Sequence, residues 1–222
     1  MADRLSRRKG FRQRLLDLLF PPKCVFCRTL LREGERGVCR SCPDRLPWTA
    51  KPVSHGPFFD ACVSPLRYEG EARESRLRYK FRGRYSYAEA YGPVIAAAVR
   101  DRLEGSFDLV TWVPVSAKRK KERGYDQAQL LAAAVAEELE LPLFATLEKT
   151  VHTPPQSGLT DPAQRRGNVL GVYRAVESLA GCRVLLIDDV VTTGATLSEC
   201  ARVLREAGAA AVSCATLLSA GK

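Results

Sequence analysis

One run of thirteen residues, VLLIDDVVTTGAT at 184–196, constrains this chain more than any other stretch. Val184, Leu185, Leu186 and Ile187 form an apolar run too short for a helix. It suits a strand buried on both faces of a parallel sheet. Asp188 and Asp189 follow at the carboxyl end of that strand. The small loop Thr192-Thr193-Gly194-Ala195-Thr196 then opens a helix expected from Leu197 to about residue 207.

Each part has a chemical use. In open α/β sheets ligands sit beyond the carboxyl ends of the strands, where the two acids stand. A loop of small residues at a helix N-terminus turns backbone N–H groups and hydroxyls toward a phosphate. Two carboxylates cannot attract a phosphate, but they accept hydrogen bonds from sugar hydroxyls or hold a hydrated cation. The combination asks for a ligand with a diol at one end and a phosphate on a short arm, such as a ribose 5-phosphate. All thirteen positions fit the phosphoribosyl pyrophosphate (PRPP) motif of type I phosphoribosyltransferases, which the run resembles. It is not a Walker A loop, since GK[ST] is missing, nor a dinucleotide fingerprint, since Gly194 stands alone. The plainer alternative is a buried strand with an acidic end and a Thr-capped helix.

Four of the eight cysteines form two CxxC pairs, Cys24/Cys27 and Cys39/Cys42, separated by 11 residues. Each pair turns two thiolates toward one point, and four thiolates complete a tetrahedral structural Zn²⁺ site with no open position for catalysis. Two disulfides are the alternative, but nothing else in the sequence suggests secretion. About 30 residues cannot bury a sufficient core alone, so metal binding would supply folding energy. The remaining cysteines, Cys62, Cys182, Cys200 and Cys214, stand singly in apolar surroundings and read as small core residues.

The net charge is +10 and is unevenly placed. Residues 1–51 hold 13 Lys and Arg against 5 Asp and Glu, whereas the rest is nearly balanced. Residues 1–20 read as a basic amphipathic helix, because the apolar run is interrupted by Asp17 and no small-residue cleavage site follows. Its Arg-rich face suits phosphates, and its apolar face suits docking on the body. No apolar run approaches a membrane span, and a cytoplasmic location is expected. Residues 21–50 form the zinc-ribbon, 51–60 a Pro-rich linker, and 61–222 an α/β domain.

Within that domain we expect a strand over 58–68 bent at Pro65 and a basic helix over 69–84. A second helix over 86–103 should be broken or kinked at Gly92-Pro93, and a strand should cover 108–114. A loop from Val115 to Arg123 and a helix from Gln127 to Leu139 should follow, then a strand at 145–151. A long polar loop ends in a short strand near Gly171–Ala175, expected to close a hairpin-like excursion, and the last strand begins at Ala211. Alternation of strands and helices implies a parallel sheet. Basic clusters at 73–84 and 118–123 are solvated faces or the footprint of a phosphate-rich ligand.

The ordered set of CxxC…CxxC, YKF(x)G, VPVS…RGYDQ, PPQSGL…RRGN and the thirteen-residue run resembles the ComF family from about Leu15 to Leu218. That resemblance implies a parallel-sheet type I phosphoribosyltransferase fold with a small N-terminal zinc-ribbon, and a part in DNA uptake during bacterial competence. It implies PRPP held by Asp188, Asp189, Thr192, Thr193, Gly194, Ala195 and Thr196 with Mg²⁺, Asp188 and Asp189 being catalytic. A pyrophosphate side would be formed by Ser116, Lys118, Arg119 and Arg123. A mobile loop would include Gln156, Gly158, Leu159, Arg165 and Asn168. Asp126 stands where the family's RGxNQ segment has Asn, so no ligand role is carried to it. Two classes of function stay open: a Mg²⁺-dependent phosphoribosyltransferase, or an accessory factor that binds single-stranded DNA or a DNA-uptake motor and uses the pocket as a sensor. The acceptor of any transfer is not legible.

Overall fold

The computed structural model describes residues 21–50, 53–81, 83, 85–150 and 171–220. The expected helix over residues 1–20 and the loop positions Gln156, Gly158, Leu159, Arg165 and Asn168 lie outside them. The strands are β1 (Ala61–Val63), β2 (Leu66–Arg67), β3 (Leu109–Trp112), β4 (Leu147–Lys149), β5 (Tyr173–Ala175), β6 (Arg183–Val191) and β7 (Ala211–Ser219). The helices are α1 (Gly70–Phe81), α2 (Tyr87–Arg102), α3 (Ala117–Arg123), α4 (Gln127–Leu139) and α5 (Ala195–Glu206).

The main sheet is wholly parallel, in the order β1-β7-β6-β3, with β2 also pairing β7. β1 and β2 form one edge interrupted at Ser64-Pro65, as a proline on an edge requires. Val184, Leu185, Leu186 and Ile187 are each fully buried. Side chains alternate across a strand, so Leu185 and Ile187 join the core beneath α2 and α4, while Val184 and Leu186 join the core beneath α5. The first core runs on without a break into Cys24, Val25, Phe26, Cys39 and Cys42.

Four local expectations are corrected. β6 does not end before the acids, because its ladder with β7 continues through Asp188↔Thr216 to Val191↔Ser219. α2 is not broken at Gly92-Pro93 but runs as one helix with Pro93 inside it. A Cβ on Gly92 would lie 2.7 Å from the Cβ of Ala134, so the missing side chain lets α2 press against α4, and that packing keeps the helix whole. The stretch after β3 is not a loop but α3, N-capped by Ser116 and closed by Gly124 at φ 80°. The strand at 147–149 is not in the main sheet. It pairs antiparallel with β5 and forms a separate ribbon bounding residues 151–170. Among the described residues no helix is long and apolar enough to cross a membrane.

Candidate functional site

The carboxyl ends of β3 and β6, the N-terminus of α5, the β4–β5 ribbon and one face of α1 surround a cavity of about 450 Å³. Its floor is the unbroken run Asp188 to Leu197. Gly194 caps α5 in the left-handed region at φ 75°, which a side chain would strain. The first helical bond runs from Ser198 N–H to the Gly194 carbonyl. The Ala195 N–H reaches only the Thr193 Oγ1, at 3.4 Å. The opening turn therefore presents N–H groups and the positive end of a twelve-residue helix to the cavity.

The pleat turns the two acids to opposite sides of the sheet. Asp189 meets α1, where Arg76 Nε donates to its Oδ2 at 2.8 Å, and both side chains are largely buried. Asp188 accepts from the Asp189 backbone N–H at 2.7 Å. Burial, and then the neighbouring Asp189 charge, push the Asp188 carboxyl up to about 8, against the pull of Arg76 and Lys80. Burial and the neighbouring acid thus favour the protonated form of Asp188, and cations brought by a ligand would favour its ionisation.

Four cations line the cavity: Arg76, Lys80, Arg119 and Lys149. Set against Asp188 and Asp189 they leave the site positive, as a polyphosphate requires. Lys149 lies 5.2 Å from the centre of the Tyr173 ring, and burial together with Arg119 lowers its pKa. Of the residues expected on the pyrophosphate side, Arg119 lines the cavity. Ser116 is buried and spends its hydroxyl capping α3, accepting from Arg119 N–H at 3.4 Å. Lys118 is exposed and outside the lining. Arg123 closes α3 in sequence.

Lys80, Arg76, Lys149, Tyr68 and Tyr173 were not singled out from the sequence as site residues. Their placement depends on distant partners. Tyr125 donates to the Tyr79 carbonyl at 2.7 Å, Gln127 Nε2 donates to the Lys80 carbonyl at 3.1 Å, and Tyr79 donates to the Gln127 carbonyl at 2.7 Å. The RGYDQ and YKF segments thus clasp each other and hold Lys80 at the cavity. The co-occurrence of those two segments was the available signal. Asp126 caps α4, accepting from Ala128, Gln129 and Val115 N–H groups, so its carboxyl is engaged structurally.

The four cysteine Sγ atoms lie within 4.8 Å of one another, with Cys24–Cys42 and Cys27–Cys39 both at 3.5 Å. A ZnS₄ tetrahedron with normal Zn–S bonds has S···S edges of about 3.8 Å, so the set fits a structural zinc ion. None of the eight cysteines is in a disulfide. Cys62, Cys200 and Cys214 are buried, while Cys182 is half-exposed. Among the described residues the two knuckles form the only such cluster.

Residues 126–222 match the family model for the phosphoribosyl transferase domain, and residues 15–71 match that for the double zinc ribbon domain. Competence protein F of Haemophilus influenzae is 27% identical over 217 residues, covering 84% of this chain and 92% of that protein. Competence protein ComFC of Bacillus subtilis is 28% identical, covering 92% of this chain and 88% of that protein. DNA utilization protein YhgH of Escherichia coli K12 is 27% identical, covering 88% and 96% respectively. Over most of its length the chain is thus similar to the ComF proteins, with a segment that matches the double zinc ribbon domain followed by one that matches the phosphoribosyl transferase domain.

Proposed function

We propose that the cavity binds PRPP, or another phosphorylated ribose, and that the protein is a phosphoribosyltransferase acting in the cytoplasm. One observation carries this reading: a helix N-terminus, two acids and four cations converge on a single cavity. In this reading the turn from Thr192 to Thr196 holds the 5-phosphate. Asp188 and Asp189 hold the ribose hydroxyls. Arg119, Lys80 and Lys149 stabilise the pyrophosphate as it leaves C1 through an oxocarbenium-like transition state. The protein's donor set suits Mg²⁺ carried in by the ligand rather than by a dedicated cage, because Arg76 already engages Asp189 and Mg²⁺ is usually shared between one or two carboxylates and substrate phosphates. Bound there, Mg²⁺ would neutralise charge on the pyrophosphate.

Calorimetric titration with PRPP and MgCl₂ tests the binding step. Saturable binding is expected, weakened at least about tenfold by Asp188→Ala. No heat with the wild-type protein, or unchanged affinity in the variant, overturns the reading. Pyrophosphate release assayed with purine and pyrimidine bases, glutamine and ammonia tests transfer.

A second reading is favoured by the names of the relatives, which are competence and DNA utilization proteins. In it the pocket senses a phosphorylated ribose while the protein handles single-stranded DNA or a DNA-uptake motor. PRPP binding without pyrophosphate release, joined to salt-sensitive binding of single-stranded DNA, would select it.

A further inference from the structure

α1 touches two separate constellations. A helix turns about 100° per residue, which puts Glu71, Ser75 and Arg78 on one stripe and Arg76 and Lys80 on roughly the opposite side. The first stripe meets the cysteine knuckles. Arg78 Nη2 donates to the Val25 carbonyl at 2.9 Å and to the Phe26 carbonyl at 2.7 Å. Ser75 Oγ donates to the same Val25 carbonyl and lies 2.5 Å from the Tyr91 hydroxyl, which therefore donates to it. Arg45 of the second knuckle lies 3.5 Å from Glu71 and 3.9 Å from Cys42 Sγ. Val25 and Phe26 are the two residues between Cys24 and Cys27, so α1 grips the turn that any metal would shape. On the far stripe Arg76 holds Asp189 at 2.8 Å, and Lys80 lines the cavity.

We propose that Ser75 and Arg78 are positioning residues for the ribose–phosphate cavity, and that through them the order of the first knuckle sets the placement of Arg76 on Asp189. The part of this proposal that concerns ligand affinity rests on the function proposed above, and the part that concerns coupling does not. The physical reason is rigidity. A helix of twelve residues packed on both sides cannot lose its grip on one constellation without shifting against the other. Two hydrogen bonds from a partly buried guanidinium also fix Arg78 more firmly than a single contact would.

Hydrogen exchange by mass spectrometry, on the full zinc-loaded chain before and after chelation, tests the coupling without any ligand. Exchange should rise in residues 21–50 and also in 70–81 and 188–196, while β3 and α4 stay protected. A rise confined to 21–50 overturns the proposal, and so does uniform loss of protection, which would mean global unfolding instead of a directed link. Arg78→Ala, checked for retained zinc by metal analysis, should raise exchange at 188–196 in the same way, and Arg78→Lys should restore part of the protection. If PRPP binds the wild type, Arg78→Ala should weaken it about tenfold, and Arg76→Ala should add little more in the double variant, because the two act in series. Additive losses overturn the proposal. Coupled exchange in a protein that binds no PRPP would leave the link standing and remove the proposed function alone.

Discussion

The floor of the cavity comes from one uninterrupted run, Asp188 to Leu197, whereas its wall is gathered from stretches scattered between Tyr68 and Ala220. The floor works through backbone: a left-handed glycine, a helix N-terminus and a pleat that turns adjacent acids apart. The wall works through side chains, and it decides the sign of the charge. A backbone device is contained within one stretch and survives changes elsewhere. A side-chain device depends on every element that holds it, here α1 clasped by Tyr125 and Gln127. The floor therefore sets which group can be held, and the wall sets how strongly and at what pH.

The sharpest way to break this division is at the ion pair between Arg76 and Asp189, which joins floor to wall. Asp189→Ala leaves the Arg76 guanidinium buried without its carboxylate, and loss of one member of a buried pair costs about 3 kcal/mol. Urea unfolding should show that loss. Asp189→Ala with Arg76→Leu should recover most of the stability and none of the ligand affinity. A double variant as unstable as the single one would mean that the pair is not what links the two parts.

A smaller effect separates Asp188 from its neighbour by pH. Its folded-state pKa, about 8, lies above the ordinary carboxyl value, so the folded protein holds a proton that the unfolded chain releases. Stability should fall as pH rises from about 4 to about 8 and level off above that. Asp188→Asn removes the titration. The variant should match the wild type near pH 4 and exceed it in urea midpoint at pH 8.5. A difference that does not change with pH would contradict the burial of this carboxyl.

The smallest expected effect tests the boundary of the wall. Lys149→Met should weaken PRPP binding about tenfold, the loss of one charged contact to phosphate. Lys118→Ala, at an exposed position outside the lining, should leave both affinity and stability within about 0.5 kcal/mol of the wild type. Equal losses in the two variants would extend the wall along α3.

What could be read in advance follows the same line. The knuckles, the strand at 184–187 and the helix after Gly194 were legible because their signals are local: spacing, an apolar run and a turn glycine. α3 also has a local signal, since Ser116 and Gly124 bracket a run of helix-compatible residues, yet at seven residues it is too short for an apolar periodicity to show. The length of β6 was hidden because acids disfavour a strand on propensity, and only the partner β7 keeps them in one. Arg76 was visible as one charge in a basic cluster. Its direction was not, since that depends on α1 lying across the sheet ends against Val25, Phe26, Tyr79 and Gln127.

The β4–β5 ribbon has an evolutionary consequence. It joins the two ends of the segment 151–170: Thr150 N–H bonds to the Val172 carbonyl at 2.9 Å, and Glu199 on α5 accepts from Gly171 N–H at 2.8 Å. With both ends pinned, the thermodynamic cost of a longer insertion there grows only slowly, by about 0.6 kcal/mol per doubling of length. Descendants of this fold are free to lengthen, shorten or rewrite that segment while the sheet stays in register. Added length there would leave unchanged the core that holds the molecule together.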